Sequence, residues 1–216
     1  MLRFSHRPLL TGAIIGILAT TGCGSSQFAG PGSSVSGSPT TSHTADVATE
    51  LRRLALRRPS LPASYRAVAA QMHPISLAQE TSNDSPRTAA IERATYLGGY
   101  QAGYTKPGVR LLLTIALAYK SPGAPHQVDT DPRGLRIAAA QLNGRLVPAP
   151  PGAPGADPVL IEGALPYRGH VLPVAYYIWR EGRFVYAIFM EGRRATLPEA
   201  LQLAAAQDAQ DGQPSV

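Results

Sequence analysis

This 216-residue chain has one cysteine, two lysines, one tryptophan and a charged fraction of only 16%. A lone cysteine has no partner within its own chain, so no internal disulfide staples the fold. The basic residues are almost all arginine, eighteen of twenty, and the formal charge is only +6. They scatter along the chain apart from Arg52, Arg53, Arg57 and Arg58, which speaks against a nucleic-acid interface and fits a solvated helix face or attraction to an anionic membrane surface. Missing too are Gly-x-Ser-x-Gly, Ser-x-x-Lys, His-Glu-x-x-His, paired cysteines, a phosphate-binding loop and the Rossmann glycine pattern. The five histidines are isolated from one another. No cofactor and no metal is called for by any of these patterns.

What is present begins at the N-terminus. Residues 1–8 carry Arg3 and Arg7 and no acid, residues 9–19 (LLTGAIIGILA) form an uncharged apolar run, and residues 20–23 read Thr-Thr-Gly-Cys. That order fits a signal peptide over 1–22. Eleven residues make a helix of roughly 17 Å, well short of the roughly 30 Å hydrocarbon layer. Leu18-Ala19-Thr20-Thr21-Gly22-Cys23 resembles the lipobox of bacterial lipoproteins, with Thr20 standing where an aliphatic residue is usual. The resemblance implies cleavage before Cys23 and diacylation of its thiol, giving a membrane-bound lipoprotein held on the extracytoplasmic face. Two acyl chains suffice for a lasting anchor, where one holds only reversibly. Removing Arg3 and Arg7 with the leader lowers the formal charge from +6 to +4.

From Gly24 to His43 the chain is dominated by Gly, Ser, Pro and Thr with almost nothing to bury, and the expectation over 23–43 is a disordered tether reaching roughly 25 Å. One α+β domain is expected over 44–209, with a frayed tail at 210–216. Thr44 is placed as an N-cap, and Val47, Leu51, Leu54 and Ala55 recur at helical spacing until Pro59. Ser60 and Pro62 open a second helix to about Gln71, residues 73–85 read as irregular, and a short helix runs from Pro86 to Ala94.

Tyr96, Tyr100 and Tyr104 fall on one side of a segment that Gly98, Gly99 and Gly103 mark as an extended, bulged strand. Lys106-Pro107-Gly108-Val109 fits a type II turn. Val109–Lys120 then alternates with a two-residue period, as a strand with one buried face would.

Asp129–Gly134 imitates the opening of a calcium loop, but Arg133 and Ala140 occupy two ligand positions, so no metal is expected there. Leu135–Leu142 reads as an Ala-rich helix stopped by Asn143-Gly144, and residues 148–158 as a proline-rich loop. Val159–Ala164, Gly169–Trp179 and Phe184–Met190 are strand candidates, the last two apolar on both faces, with Pro173 marking a bulge or an edge. Thr196-Leu197-Pro198-Glu199 is a capping box that opens a closing helix.

The whole predicts an antiparallel sheet covered by helices. Leu172–Ala209, a strand, a Glu-Gly turn, a strand and a capped Ala/Leu helix, resembles the C-terminal half of PsbP-like domains found in some bacterial lipoproteins.

The functional expectation is a lipid-anchored, non-enzymatic module that binds an envelope protein or a small ligand. Tyrosines combine an apolar body with a polar tip, which makes Tyr96, Tyr100, Tyr104, Tyr176 and Trp179 the ligand-surface candidates, with core packing as their alternative role. The competing readings are an envelope enzyme, which requires groups such as His73, His126, His170, Glu181 and Glu191 to converge, and a carrier of a small apolar molecule. Glu181 and Glu191 otherwise read as solvated turn charges.

Overall fold

The computed structural model describes residues 41–81, 86–124 and 132–211. The readings placed on the leader, Cys23, residues 24–40, His126 and Asp129–Asp131 lie outside them. Eight strands are present among the described residues: β1 (Arg66–Ala67), β2 (His73–Ile75), β3 (Tyr96–Lys106), β4 (Val109–Tyr119), β5 (Arg145–Val147), β6 (Ala156–Tyr167), β7 (His170–Glu181) and β8 (Phe184–Glu191). They form one antiparallel sheet in the order β1-β3-β4-β8-β7-β6-β5, with β2 also pairing along β3. The helices are α1 (Thr41–Leu54), α2 (Leu77–Glu80), α3 (Pro86–Thr95), α4 (Pro132–Gln141) and α5 (Leu197–Asp211). The fold is thus the expected single α+β domain.

The sheet separates two cores. On one face Leu51 and Leu54 of α1 and Ala200, Leu203 and Ala204 of α5 pack over Leu112, Tyr177, Trp179 and Ile188. On the other, Ala139 of α4 and Ile75 of β2 pack with Leu113, Ile115, Ile161 and Phe189. Arg110, Thr114 and Tyr119 are the only residues of β4 with polar side-chain atoms, and the strand is buried along both faces, correcting the expectation of one. Each such Leu or Ile contributes about 1.5–3 kcal/mol by leaving water, which is why this two-sided strand lies in the interior of the sheet.

Elsewhere tertiary pairing overrides local pattern. The helix expected over Ser60–Gln71 is instead a 3-10 turn at Arg58–Ser60, strand β1 and a second 3-10 turn at Ala69–Gln71. Leu61 and Tyr65 are sunk into the core, and the Val68 amide donates to the Gly103 carbonyl at 2.9 Å, so this stretch is held by the edge of β3. The segment read as irregular holds β2 and α2, the latter with a full capping box between Ser76 and Gln79. α1 starts at Thr41, so Thr44 lies within it, and β6 runs from Ala156, taking in the end of the proline-rich loop.

Three turns behave as the residues dictate. Gly108 has φ +86, which the third position of a type II turn requires. α4 ends in a Schellman motif, Gly144 N–H donating to Ala139 and Asn143 N–H to Ala140, with Asn143 in the left-handed position at φ 45. Pro173 lies just past the last β7–β8 pair, Val174 with Glu191, where its missing amide faces no strand and its carbonyl accepts from Gly192 at 3.1 Å.

Candidate functional site

β4 and β7 start, and β8 stops, at the same end of the sheet, because neighbouring strands run antiparallel. The β3–β4 turn, the β6–β7 turn and the β8–α5 connection therefore meet there. Between them lies an open groove of about 300 Å³. Lys106, Gly108 and Arg110 come from the first turn, Tyr167 and His170 from the second, and Gly192 and Arg193 from the third, with Val109 and Leu172 as apolar floor.

The three walls are locked together by backbone. The Arg194 amide donates to the Gly108 carbonyl at 2.9 Å, and Ala195 N–H to Gly192 O at 3.0 Å. A Cβ on Gly192 would lie 2.5 Å from the Gly108 oxygen and 2.7 Å from Val109 Cα, so only glycine permits this close approach.

The charged side chains are held as firmly. Arg110 Nε donates to Glu191 Oε1 at 2.9 Å and its second nitrogen bonds the other oxygen, a bidentate pair in which the Glu191 side chain is only 1% exposed. The Arg110 guanidinium also lies 4.4 Å from the centroid of the Tyr167 ring, and Arg168 lies 5.2 Å from the same ring. Lys106 bonds Glu199 and sits 4.7 Å from the Tyr65 ring, whose hydroxyl donates to the same carboxylate at 2.8 Å. Burial, then the hydrogen bond to Glu199 and its negative charge, push the Tyr65 phenol far above its ordinary pKa.

Glu199 was expected to close a capping box. The Thr196 half is present, its hydroxyl accepting the Glu199 amide at 3.4 Å, while the Glu199 carboxylate is engaged by Tyr65 and Lys106.

The five aromatic candidates are not brought together. Trp179 stacks between Tyr177 and Tyr186, at 5.1 and 5.3 Å, in the core under α1 and α5. Tyr176 packs edge-on to Phe189 at 6.2 Å on the opposite face. Tyr104 is buried, donating its hydroxyl to Leu56 O at 2.8 Å, and Tyr100 is half-buried on that same face. The expectation that Tyr96 shares their side fails at a register shift between Tyr96 and Gly98, which turns it to the other core, where its hydroxyl donates to Ile75 O at 2.8 Å.

Among the described residues, the titratable candidates do not converge on one site either. Glu181 and Glu191 are separated by the length of β8, about 23 Å at the usual strand rise. Glu191 is a buried ion-pair partner, not a solvated turn charge. His73 on β2 and His170 at the start of β7 are four strand spacings apart, about 19 Å. Among the described residues no cluster of three or more His, Cys, Asp or Glu is placed to hold a metal, and no helix is long and apolar enough to cross a membrane.

No protein-family model matches the chain, and no curated protein matches it. Among solved structures it is similar to the extracellular domain of PknH from Mycobacterium tuberculosis, at 11% identity and a TM-score of 0.49, over 77% of this chain and 96% of that one. A second, LpqN, described as involved in cell envelope biogenesis of Mycobacterium tuberculosis, has 13% identity and a TM-score of 0.29 over 69% of this chain and 78% of that one. Nothing about ligand, partner or role passes to this chain at that level of likeness.

Proposed function

We propose that the chain is a lipid-anchored binding module of the cell envelope, fixed to the extracytoplasmic face of the membrane through acylated Cys23 and carrying the basic groove as its binding surface. The observation that carries the anchor is the run Leu18–Cys23, with the sole cysteine directly behind a short apolar segment and a basic start. The binding reading draws on packing. Both faces of the sheet are filled by helices and large side chains, and an open concavity lies at the strand ends, among arginines and a tyrosine. Of the groups proposed for catalysis, the described His73, His170 and Glu181 stand far apart and Glu191 is committed to Arg110, which favours binding over an envelope enzyme with dispersed residues.

Intact mass of the membrane-extracted protein tests the anchor. The expected mass begins at Cys23 and exceeds the unmodified chain by the acyl groups, and Cys23→Ser is expected to lose both the mass increment and the pelleting with membranes. A Cys23→Ser protein that is trimmed and pelleted like its parent would end this reading.

A further inference from the structure

The groove is positively charged in a particular way. Lys106, Arg110 and Arg193 line it, and Arg168 and Arg194 stand beside it at the same end of the sheet, the first against Tyr167 and the second over Gly108. Two carboxylates oppose them, Glu191 on Arg110 and Glu199 on Lys106. Five cations against two anions leave three positive charges, and they fall on Arg168, Arg193 and Arg194, all exposed and none paired with a described carboxylate. Arg168 rests against Tyr167, and the stem of Arg194 lies over Gly108, which limits how many positions these long side chains sample.

Several arginines elsewhere are committed to structure. Arg58 donates to the carbonyls of Leu61 and Ala63, Arg180 pairs with Asp157, and Arg183 with Glu50. An uncompensated guanidinium cluster on a pre-formed groove is what an oxyanion binds, because each planar fork offers parallel donors and the partial immobilisation lowers the ordering cost. A planar carboxylate occupies one fork. A phosphate, with oxygens pointing tetrahedrally and up to two negative charges, uses donors from several directions and suits guanidiniums offered from two turns, Arg168 from one and the neighbours Arg193 and Arg194 from the other.

We infer that the groove between Tyr167 and Arg193 is a binding site for a phosphate ester, with Arg168, Arg193 and Arg194 as its ligands and Arg110 and Lys106, already paired, as the positive background. The inference rests on the groove being the module's binding surface, and it holds whether or not Cys23 is acylated. A phosphate ester reaches an envelope protein either as a free small molecule or as the headgroup of an anionic lipid; both present phosphoryl oxygens to the guanidiniums, the first as a monoester with up to two charges and the second as a diester with one.

The test uses the full chain carrying Cys23→Ser, so that acylation contributes nothing. Two probes separate the sources: glycerol 1-phosphate followed by titration calorimetry, and co-sedimentation with phosphatidylglycerol vesicles compared with phosphatidylcholine vesicles. Binding of glycerol 1-phosphate supports the site and a free ester. A phosphatidylglycerol excess without binding of the soluble probe supports it and a headgroup. In either case Arg168→Gln with Arg193→Gln is expected to weaken binding about tenfold or more at low salt. Arg193→Gln alone, which leaves the Arg168–Tyr167 contact in place, is expected to weaken it about threefold.

Arg52→Gln with Arg53→Gln on α1 is the control, and is expected to change binding less than the groove variants do. Circular dichroism and the melting transition establish that each variant is folded. Absence of both signals in the parent, or a groove double variant that binds as the parent does, overturns the inference. A failed Cys23 anchor with intact groove binding would remove the membrane reading and leave this one standing.

Discussion

Glu191 keeps its charge in a nearly dry place because Arg110 meets both of its oxygens. Removing the arginine would strand that carboxylate, and breaking such a pair costs about 3–5 kcal/mol in a fully buried setting. Arg110 is one-third exposed, so solvent screening trims the expected loss for Arg110→Ala to about 2–3 kcal/mol, read from urea unfolding. Replacing both partners by methionine is expected to recover at least half of it, since neither charge then remains buried. A double variant as unstable as Arg110→Ala would show that the arginine acts through packing on Tyr167 instead.

Tyr65 supplies the pH dependence on this scale. Its phenol is held protonated by burial and by Glu199, and burial likewise raises Tyr104 and Tyr177. Because the folded state favours the neutral form, this contribution to stability is complete below the ordinary phenol pKa of about 10 and is lost as the pH climbs above it. Urea midpoints are expected to fall between pH 9 and pH 11, and Tyr65→Phe to fall less steeply across the same interval. At neutral pH, Tyr65→Phe is expected to cost about 1–2 kcal/mol for the lost bond to a carboxylate. Equal slopes for both proteins would take Tyr65 out of the account.

Among the elements, the connection from β8 to α5 decides whether the groove exists. Gly192 has φ +148, and its α-carbon sits where a methyl would meet three backbone atoms of the β3–β4 turn. Backbone has no side-chain rotation with which to yield, so Gly192→Ala is expected to destabilise by about 3 kcal/mol through strain and overpacking together. Its spectrum should change most at Gly108, Val109 and Arg110, and a variant with parental stability would show that the two segments are not in contact.

The legibility of the elements follows from where each draws its stability. β4 is an apolar run of strand length, though its second buried face did not show as a period, the β3–β4 turn contains its Pro-Gly, and α5 announces itself with Thr196, so these elements read directly from the chain. β1 is two residues and β2 three, too short to show a period, and both exist because the outer edge of β3 needs partners. The bulge that turns Tyr96 to the other core was foreshadowed by Gly98, but glycine says only that the backbone bends, not which face it reaches afterwards. The groove itself left a fainter mark. Its residues lie in three turns spread from Lys106 to Arg194, none forms a motif, and only the pairing order of the sheet reveals that those turns share one end. The sole hint in the sequence was arginine recurring in Gly-containing turns, at Arg168-Gly169 and Gly192-Arg193-Arg194.

At the scale of the molecule the sheet is graded from centre to edge. β4, β8 and β7 each have a long partner on both sides and helices over both faces, so their amides become exposed only when the domain opens as a whole. β1, β2 and β5 are two or three residues long and hang on the margins through few bonds. Local opening of such segments costs much less than global unfolding, which for a domain of this size is about 5–15 kcal/mol. Native-state hydrogen exchange is therefore expected to find the slowest amides in Leu112–Leu117, Tyr176–Trp179 and Tyr186–Phe189, exchanging together at the global rate. Amides of β1, β2 and β5 should exchange at least about a hundredfold faster. The groove lies where the central strands end, so its walls should share most of the protection of the centre and lose it only with the whole domain. That would make the groove a rigid receptor, bound without a closing step. If the amides of Val109, Arg110 and Gly192 instead exchange as quickly as those of β5, the groove is no pre-formed receptor, and any ligand would have to order it on arrival.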